Sequence, residues 1–152
     1  MKFALEKSLK SKPKRKISAR AMDNLRAPKA KYGNTKVAAV ANGEDVVFDS
    51  RAEHERYQYL RLLEKAGAIA ALGLQPKFEL EPGFVRDGKK YRQEWYIADF
   101  SYRRDGRAVI EDVKGKKTDL YLSKVKRFLA QNPDLIFIEA YRDGKGWREV
   151  VK

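Results

Sequence analysis

Apolar and polar positions alternate along this chain with two different periods, one suited to strands and one to helices. Strand-length runs rich in aromatic and β-branched residues occupy 77–85, 90–103 and 107–114, and they are separated by Asp87-Gly88 and Asp105-Gly106. An Asn-Gly or Asp-Gly pair between strand-like segments is the strongest short-range hairpin signal, because a two-residue turn needs positive φ at its centre. The pattern therefore predicts an antiparallel three-stranded meander. Asn42-Gly43 marks an earlier hairpin, and Asp143-Gly144 joins a strand at 135–141 to a second arm at 147–151.

Helical spacing predicts two helices. In the first, 50–67, Tyr57, Leu60 and Leu63 or Glu64 line one face and Gly67 stops the helix. Glu53 lies four residues before Tyr57 on that face, so an acid opens the buried stripe. Ser50-x-x-Glu53 is also a capping-box pattern, in which the glutamate returns to the Ser50 N–H. Cap and active-site acid are both open roles for Glu53. The second helix, 118–131, is expected to bury Leu122, Val125, Phe128 and Leu129 and to end before Pro133. Helix, three antiparallel strands, helix, strand is an α+β order.

Two strands carry acids. In the middle strand Trp95, Ile97 and Asp99 share one face and Tyr96, Ala98 and Phe100 the other, so both faces look buried. In the next strand Ile110, Asp112 and Lys114 share a face, opposite Val109, Glu111 and Val113. A short hairpin brings Asp99 beside Asp112. Two carboxylates offer hard oxygen ligands for Mg2+, and a neighbouring ammonium can orient a water or neutralise charge on a reacting phosphate. Phosphodiester hydrolysis fits those parts. The plainer alternative is an edge acid or an ion pair with Lys114, and Glu111 either supports the site from the far side or meets solvent.

Charge adds a partner to this picture. The 152 residues suit one ordinary domain and carry a net charge of +13, of which the first 36 contribute 12 basic residues against 2 acids. With Pro13, Pro28 and little periodicity, residues 1–36 are expected to be a basic mobile arm, and 37–152 the folded domain. Such a chain should meet a polyanion. Nucleic acid is favoured over an acidic membrane, since no apolar run approaches the roughly 20 residues of a transmembrane helix. Lys12, Lys14, Arg15 and Lys16 in the arm, with Lys116, Lys117 and Lys124 near the second helix, are the candidate phosphate contacts; a solubilising arm and a solvated helix face account for them equally well.

The absence of cysteine and of an apolar secretory segment points to a reducing cytoplasm. With no Cys and only His54, zinc fingers, zinc deaminases, thiol catalysis and paired-histidine nucleases lack their ligands or nucleophiles. His54, between two glutamates, reads as a surface residue.

An acid in the first helix, an acid in the second strand and acid-x-lysine in the third resemble the PD-(D/E)XK nuclease superfamily. More narrowly, Lys31-Tyr32-Gly33-Asn34, Phe48-Asp49-Ser50 with Glu53 and Arg56-Tyr57, Leu74-Gln75-Pro76-Lys77-Phe78, Tyr96-Ile97-Ala98-Asp99-Phe100, and Glu111-Asp112-Val113-Lys114-Gly115 with Thr118 resemble a phage and prophage family of unknown function. That family is grouped with Holliday-junction resolvase-like and structure-specific endonucleases. The resemblance runs from about Lys31 to near the chain end. It implies a restriction-endonuclease-like αβββαβ core, with a central mixed sheet flanked by helices. It also implies Asp99 and Asp112 as metal ligands, the Val113 backbone carbonyl as a further ligand, Lys114 as the motif lysine and Glu53 as the helical acid. Ala98 stands where the motif's proline would be, as in many members.

The combined expectation is a Mg2+-dependent, structure-selective DNA endonuclease, with Mn2+ able to substitute, acting on branched or junction DNA in phage recombination, replication or DNA processing. Symmetric junction cutting would call for a homodimer. The rival is a non-catalytic basic accessory protein that binds nucleic acid and pairs its carboxylates with lysines; an RNA-binding protein of ribosomal type is a third reading.

Overall fold

The computed structural model describes Ser18 and residues 35–152. The arm lysines and arginine named above, Lys12, Lys14, Arg15 and Lys16, lie outside those residues, as do Lys31 to Asn34. The chain divides into two compact units, Met1–Arg51 and Ala52–Lys152. In the first, β1 (Val37–Ala41) and β2 (Glu44–Phe48) pair antiparallel around Asn42 (φ 51°) and Gly43 (φ 82°), and Lys36 meets Asp49 at 3.3 Å beyond the strand ends.

The second unit holds the predicted helices and the remaining hairpins. Helix α1 (Arg51–Lys65) ends in a left-handed Gly67 (φ 76°). The N–H of Ala68 bonds to the Leu63 carbonyl and that of Gly67 to Glu64, the paired closure that satisfies a helix's last carbonyls. A five-stranded sheet follows the order β11-β10-β9-β8-β3, built from β3 (Ala70–Leu74), β8 (Phe100–Arg104), β9 (Arg107–Val113), β10 (Ile136–Asp143) and β11 (Gly146–Val151). Only β9 and β10 run parallel, with α2 (Asp119–Gln131) between them in sequence. The helix and strand order α1, β3, β8, β9, α2, β10 is αβββαβ around a mixed sheet, an α+β fold.

The meander differs from the one the pattern predicts. Its outer strand is β3, not the segment at 77–85, and the middle run at 90–103 is broken. β4 (Lys77–Glu81) pairs with β7 (Glu94–Ile97) in a ribbon of its own, and β5 (Phe84–Arg86) with β6 (Lys89–Tyr91) in a separate hairpin. Leu74 lies opposite Phe100 and Lys77 opposite Ile97, so the β3/β8 and β4/β7 pairs are one ribbon bent at Gln75-Pro76 and Ala98-Asp99. Gln75 takes φ 49°, and two backbone bonds, Gln75 N–H to Asp99 and Ala98 N–H to Pro76, carry the pairing through the bend. Ala-Ala-Leu-Gly-Leu gives β3 little strand propensity. Its Gly73 sits under Ser101, whose Oγ would be 2.6 Å from an added Cβ, so the strand is specified by its neighbour.

The core fills the face covered by α2. Tyr96, Ala98, Ile110, Phe137 and Leu80 pack with Val125 and Phe128, and the Phe128 ring lies 4.8 to 5.8 Å from those of Phe78, Tyr96 and Phe137. Two expectations fail here. Ile97 is 56 % exposed, because the bend turns the Trp95 and Ile97 side of β7 away from the sheet, and Leu122 is 47 % exposed. Helix α2 buries Val125 and Phe128 with Leu129 packed beside them, as expected, and Tyr121 takes the place expected of Leu122.

Candidate active site

Asp99 stands at the bend, one residue before β8, and Asp112 one residue before the end of β9. Because Phe100 pairs with Glu111, the next residues out, Asp99 and Asp112, face one another on the same side of the sheet. Their carboxylates interlock with the backbone. Asp99 Oδ2 accepts from the Val113 N–H at 2.7 Å, and Asp112 Oδ1 accepts from the Asp99 N–H at 3.1 Å. The Tyr96 hydroxyl donates to Asp112 Oδ2, and Lys114 Nζ lies 3.2 Å from that same oxygen. Lys114 also sits 3.9 Å from the centroid of the Tyr121 ring, so a carboxylate and a π-face fix its ammonium together.

Electrostatics set Asp99 apart. Burial, then the charge of Asp112, then that of Glu53 push the Asp99 carboxyl well above the usual carboxylate range, against the Val113 N–H and Lys114, which lower it. Glu53, in the first turn of α1, is therefore felt by Asp99. Among the described residues no three His, Cys, Asp or Glu side chains gather at metal-ligand spacing, so the compact oxygen donors are Asp99 and Asp112, with Glu53 outside that group. Val113 meets the site through its N–H. Half-buried Asp99 and buried Asp112, with Lys114 beside Asp112, present hard carboxylate oxygens that fit a divalent ion such as Mg2+.

The two carboxylates and Lys114 line a surface cavity of about 310 Å3, with Thr118, Leu120, Tyr121 and Lys124 from the start of α2 and Trp95 to Ile97 from β7. Thr118 caps α2, its Oγ1 accepting from the Tyr121 N–H at 3.2 Å. Of the lysines proposed for phosphate contact, Lys117 pairs with buried Glu139 at 2.8 Å and Lys124 donates to the Trp95 carbonyl at 2.9 Å. Lys116 is exposed beside them. His54 is half-buried.

Glu111 has the role that parity left open. It is fully buried on the opposite face, where Arg56 of α1 grips both its oxygens at 2.6 and 2.8 Å and the Tyr102 hydroxyl donates at 2.7 Å. Arg56 also reaches Glu149 at 2.5 Å, which Arg104 holds from the other side at 2.8 Å. Spacing alone gave no hint of this network. Tyr96 was missed too, and its one signal was an aromatic with a polar tip on the core side of the strand that carries the acid.

A search of curated proteins finds no significant match to this chain. A family model does match, over residues 29–146, a span that holds both carboxylates, Lys114 and Glu53. The chain belongs to DUF1064, a family of proteins of unknown function.

Proposed function

We propose that the protein is a divalent-metal-dependent DNA endonuclease of PD-(D/E)XK type, selective for branched or junction DNA. The observation that carries this reading is the interlocked Asp99 and Asp112 pair with Lys114 on its rim, at a bend between two sheet segments. Asp99 and Asp112 would hold Mg2+, or Mn2+ in its place, with the Val113 carbonyl as a further donor and Glu53 completing the metal's surroundings through water. A divalent ion there supplies Lewis-acid polarisation of a phosphate diester.

The chain's own groups do the rest. Tyr96 and the backbone N–H groups of Asp99 and Val113 stop the carboxylates from rotating, so the donors are preorganised. Lys114, held by Asp112 and Tyr121, orients the attacking water and neutralises charge that builds on the phosphate. Lys116, Lys117 and Lys124, with the arm residues Lys12, Lys14, Arg15 and Lys16, give sequence-independent grip on flanking phosphates. A symmetric cut across a four-way junction would need two such clefts and hence a homodimer. DNA as substrate and a cysteine-free chain suit a cytoplasmic setting. No helix among the described residues is long and apolar enough to cross a membrane.

The test is a panel of single-stranded, duplex, flap and four-way DNA incubated with the protein, with and without Mg2+. Cleavage of at least one substrate is expected with metal and none in EDTA. Asp99→Asn, Asp112→Asn and Lys114→Ala should each lower the rate by about 100-fold or more at an unchanged circular dichroism spectrum. Equal cutting by Asp112→Asn would sink the metal assignment, and metal-independent binding with no cleavage would favour the accessory-protein reading.

A further inference from the structure

The β5–β6 hairpin stands next to the cleft and carries side chains that neither the core nor the carboxylate pair uses. Phe84 and Tyr91 are cross-strand partners with rings 4.5 Å apart and 8° from parallel. Both stay exposed, at 51 % and 38 %, and Val85, the middle residue of β5, is 68 % exposed. The segment 84–92 carries four cations, with Arg86 and Lys89 on the aromatic pair's face by strand alternation and Lys90 and Arg92 on the other, and Asp87 in the turn is its one acid. Lys89 Nζ lies 5.3 Å from the Tyr91 centroid.

The hairpin is held at its base. Gly83 presses so closely on the returning strand that an added Cβ would lie 3.2 Å from the Gln93 nitrogen and 3.3 Å from the Tyr91 carbonyl. The Gln93 side chain is tied to Glu79. A cavity of about 810 Å3 opens beside it, lined by Phe84, Lys90, Tyr91, Arg92 and Trp95. Trp95 also lines the carboxylate cleft, so the two cavities share that residue.

A cross-strand aromatic pair stabilises a hairpin. That does not explain four cations within nine residues or a cavity lined by three aromatics with Lys90 and Arg92. Stacked π-faces among cations match the two needs of an unpaired nucleotide, a surface for its base and counter-charge for its phosphate. We propose that this hairpin binds unpaired DNA, stacking bases on Phe84 and Tyr91 while Arg86, Lys89, Lys90 and Arg92 hold the phosphates, and leads the strand past Trp95 toward Asp99 and Asp112. The choice of DNA as occupant rests on the nuclease reading. It gives that reading a source of structure selectivity, since flap, forked or frayed DNA offers unpaired bases near a scissile bond and blunt duplex does not.

The experiment measures binding of the full chain to dye-labelled single-stranded, forked and blunt duplex DNA by fluorescence anisotropy, in EDTA so that cleavage plays no part. The Phe84→Leu/Tyr91→Leu double variant keeps apolar packing in the hairpin and removes the π-faces. Single-stranded and forked DNA should bind it about 5- to 150-fold more weakly, with duplex binding within about twofold, and Phe84→Trp/Tyr91→Trp should bind as the parent does. Equal losses on single strand and duplex, or no loss on either, would overturn the proposal. So would tighter binding of single-stranded RNA of the same sequence, or an effect of the Leu variant confined to anionic phosphatidylserine vesicles or to the protein's own oligomeric mass. Hairpin-dependent binding by a protein that never cuts with Mg2+ would remove the nuclease reading alone; normal cutting with unaffected variant binding would remove this one alone.

Discussion

At the scale of single residues, the acids of β9 show how one position changes a carboxylate's chemistry. Asp112 faces Asp99, Tyr96 and Lys114 in the cleft, whereas Glu111, its neighbour, points to the opposite face and accepts two bonds from Arg56 and one from Tyr102. The Arg56 pair is fully desolvated on both sides, with each side chain 0 % exposed. Removing one partner strands the other's charge, so Arg56→Ala should destabilise the fold by about 3–5 kcal/mol, read from urea denaturation midpoints. Glu53 poses the reverse case. Its charge raises the Asp99 carboxyl, so it lies within electrostatic reach of the pair. Glu53→Gln should lower nuclease activity at an unchanged melting temperature; destabilisation by about 0.5–2 kcal/mol with full activity would make it a helix cap alone.

At the scale of elements, the bend in the ribbon matters more than any one strand. A straight middle strand would bury Ile97 and align Asp99 with Trp95 along one continuous face. The bend at Gln75-Pro76 and Ala98-Asp99 instead leaves Asp99 between two sheet segments, with its carboxylate turned to Val113. Helix α2 closes the cleft from the other side, and its first turn carries Tyr121 under Lys114. Thr118 fixes that turn through its Tyr121 N–H bond. Thr118→Ala should cost about 1 kcal/mol of stability in thermal unfolding and, by loosening Tyr121, lower kcat more than it changes DNA affinity.

Over the whole molecule, charge works in two separate ways. Inside the second unit, hydrogen bonds from Arg104 and then Arg56 outweigh burial and hold the Glu149 carboxyl below its usual range. Burial would raise Glu139, but hydrogen bonds from Lys117, Tyr141 and Tyr121 outweigh it and hold that carboxyl low as well. A depressed folded-state pKa means that the folded form holds fewer protons. Both groups therefore contribute stability in full above the unfolded carboxylate value of about 4.3, and that stability drains away as pH falls through their folded values. Melting temperatures should accordingly fall from pH 5 downward, and Glu149→Gln should flatten that fall. The net charge of +13 suits the proposed polyanion partner, and binding of DNA should weaken as salt is added.

Much of this protein was legible in its sequence because the signals were local. Three of the four Asn-Gly and Asp-Gly pairs form two-residue turns with positive φ at both positions: Asn42-Gly43, Asp87-Gly88 and Asp105-Gly106. The fourth hairpin turns one residue later, on Gly144 (φ 56°) and Lys145, with Asp143 still paired to Gly146. Helix α1 stops at Gly67 and α2 at Asn132, as caps and Pro133 dictate. Strand parity put Asp112 and Lys114 on one face, and the ion pair between them agrees. These features depend on the φ preferences and side-chain alternation of adjacent residues, which travel with the sequence. Only the tertiary structure decided that Ala70–Leu74 joins the central sheet, that the long middle run bends at Asp99, that Leu122 and Ile97 face outward, and that Glu111 belongs to Arg56. Each of those depends on a partner about 20 or more residues away or on the space left by packed neighbours, and no local pattern in a single chain encodes which distant surface will meet it.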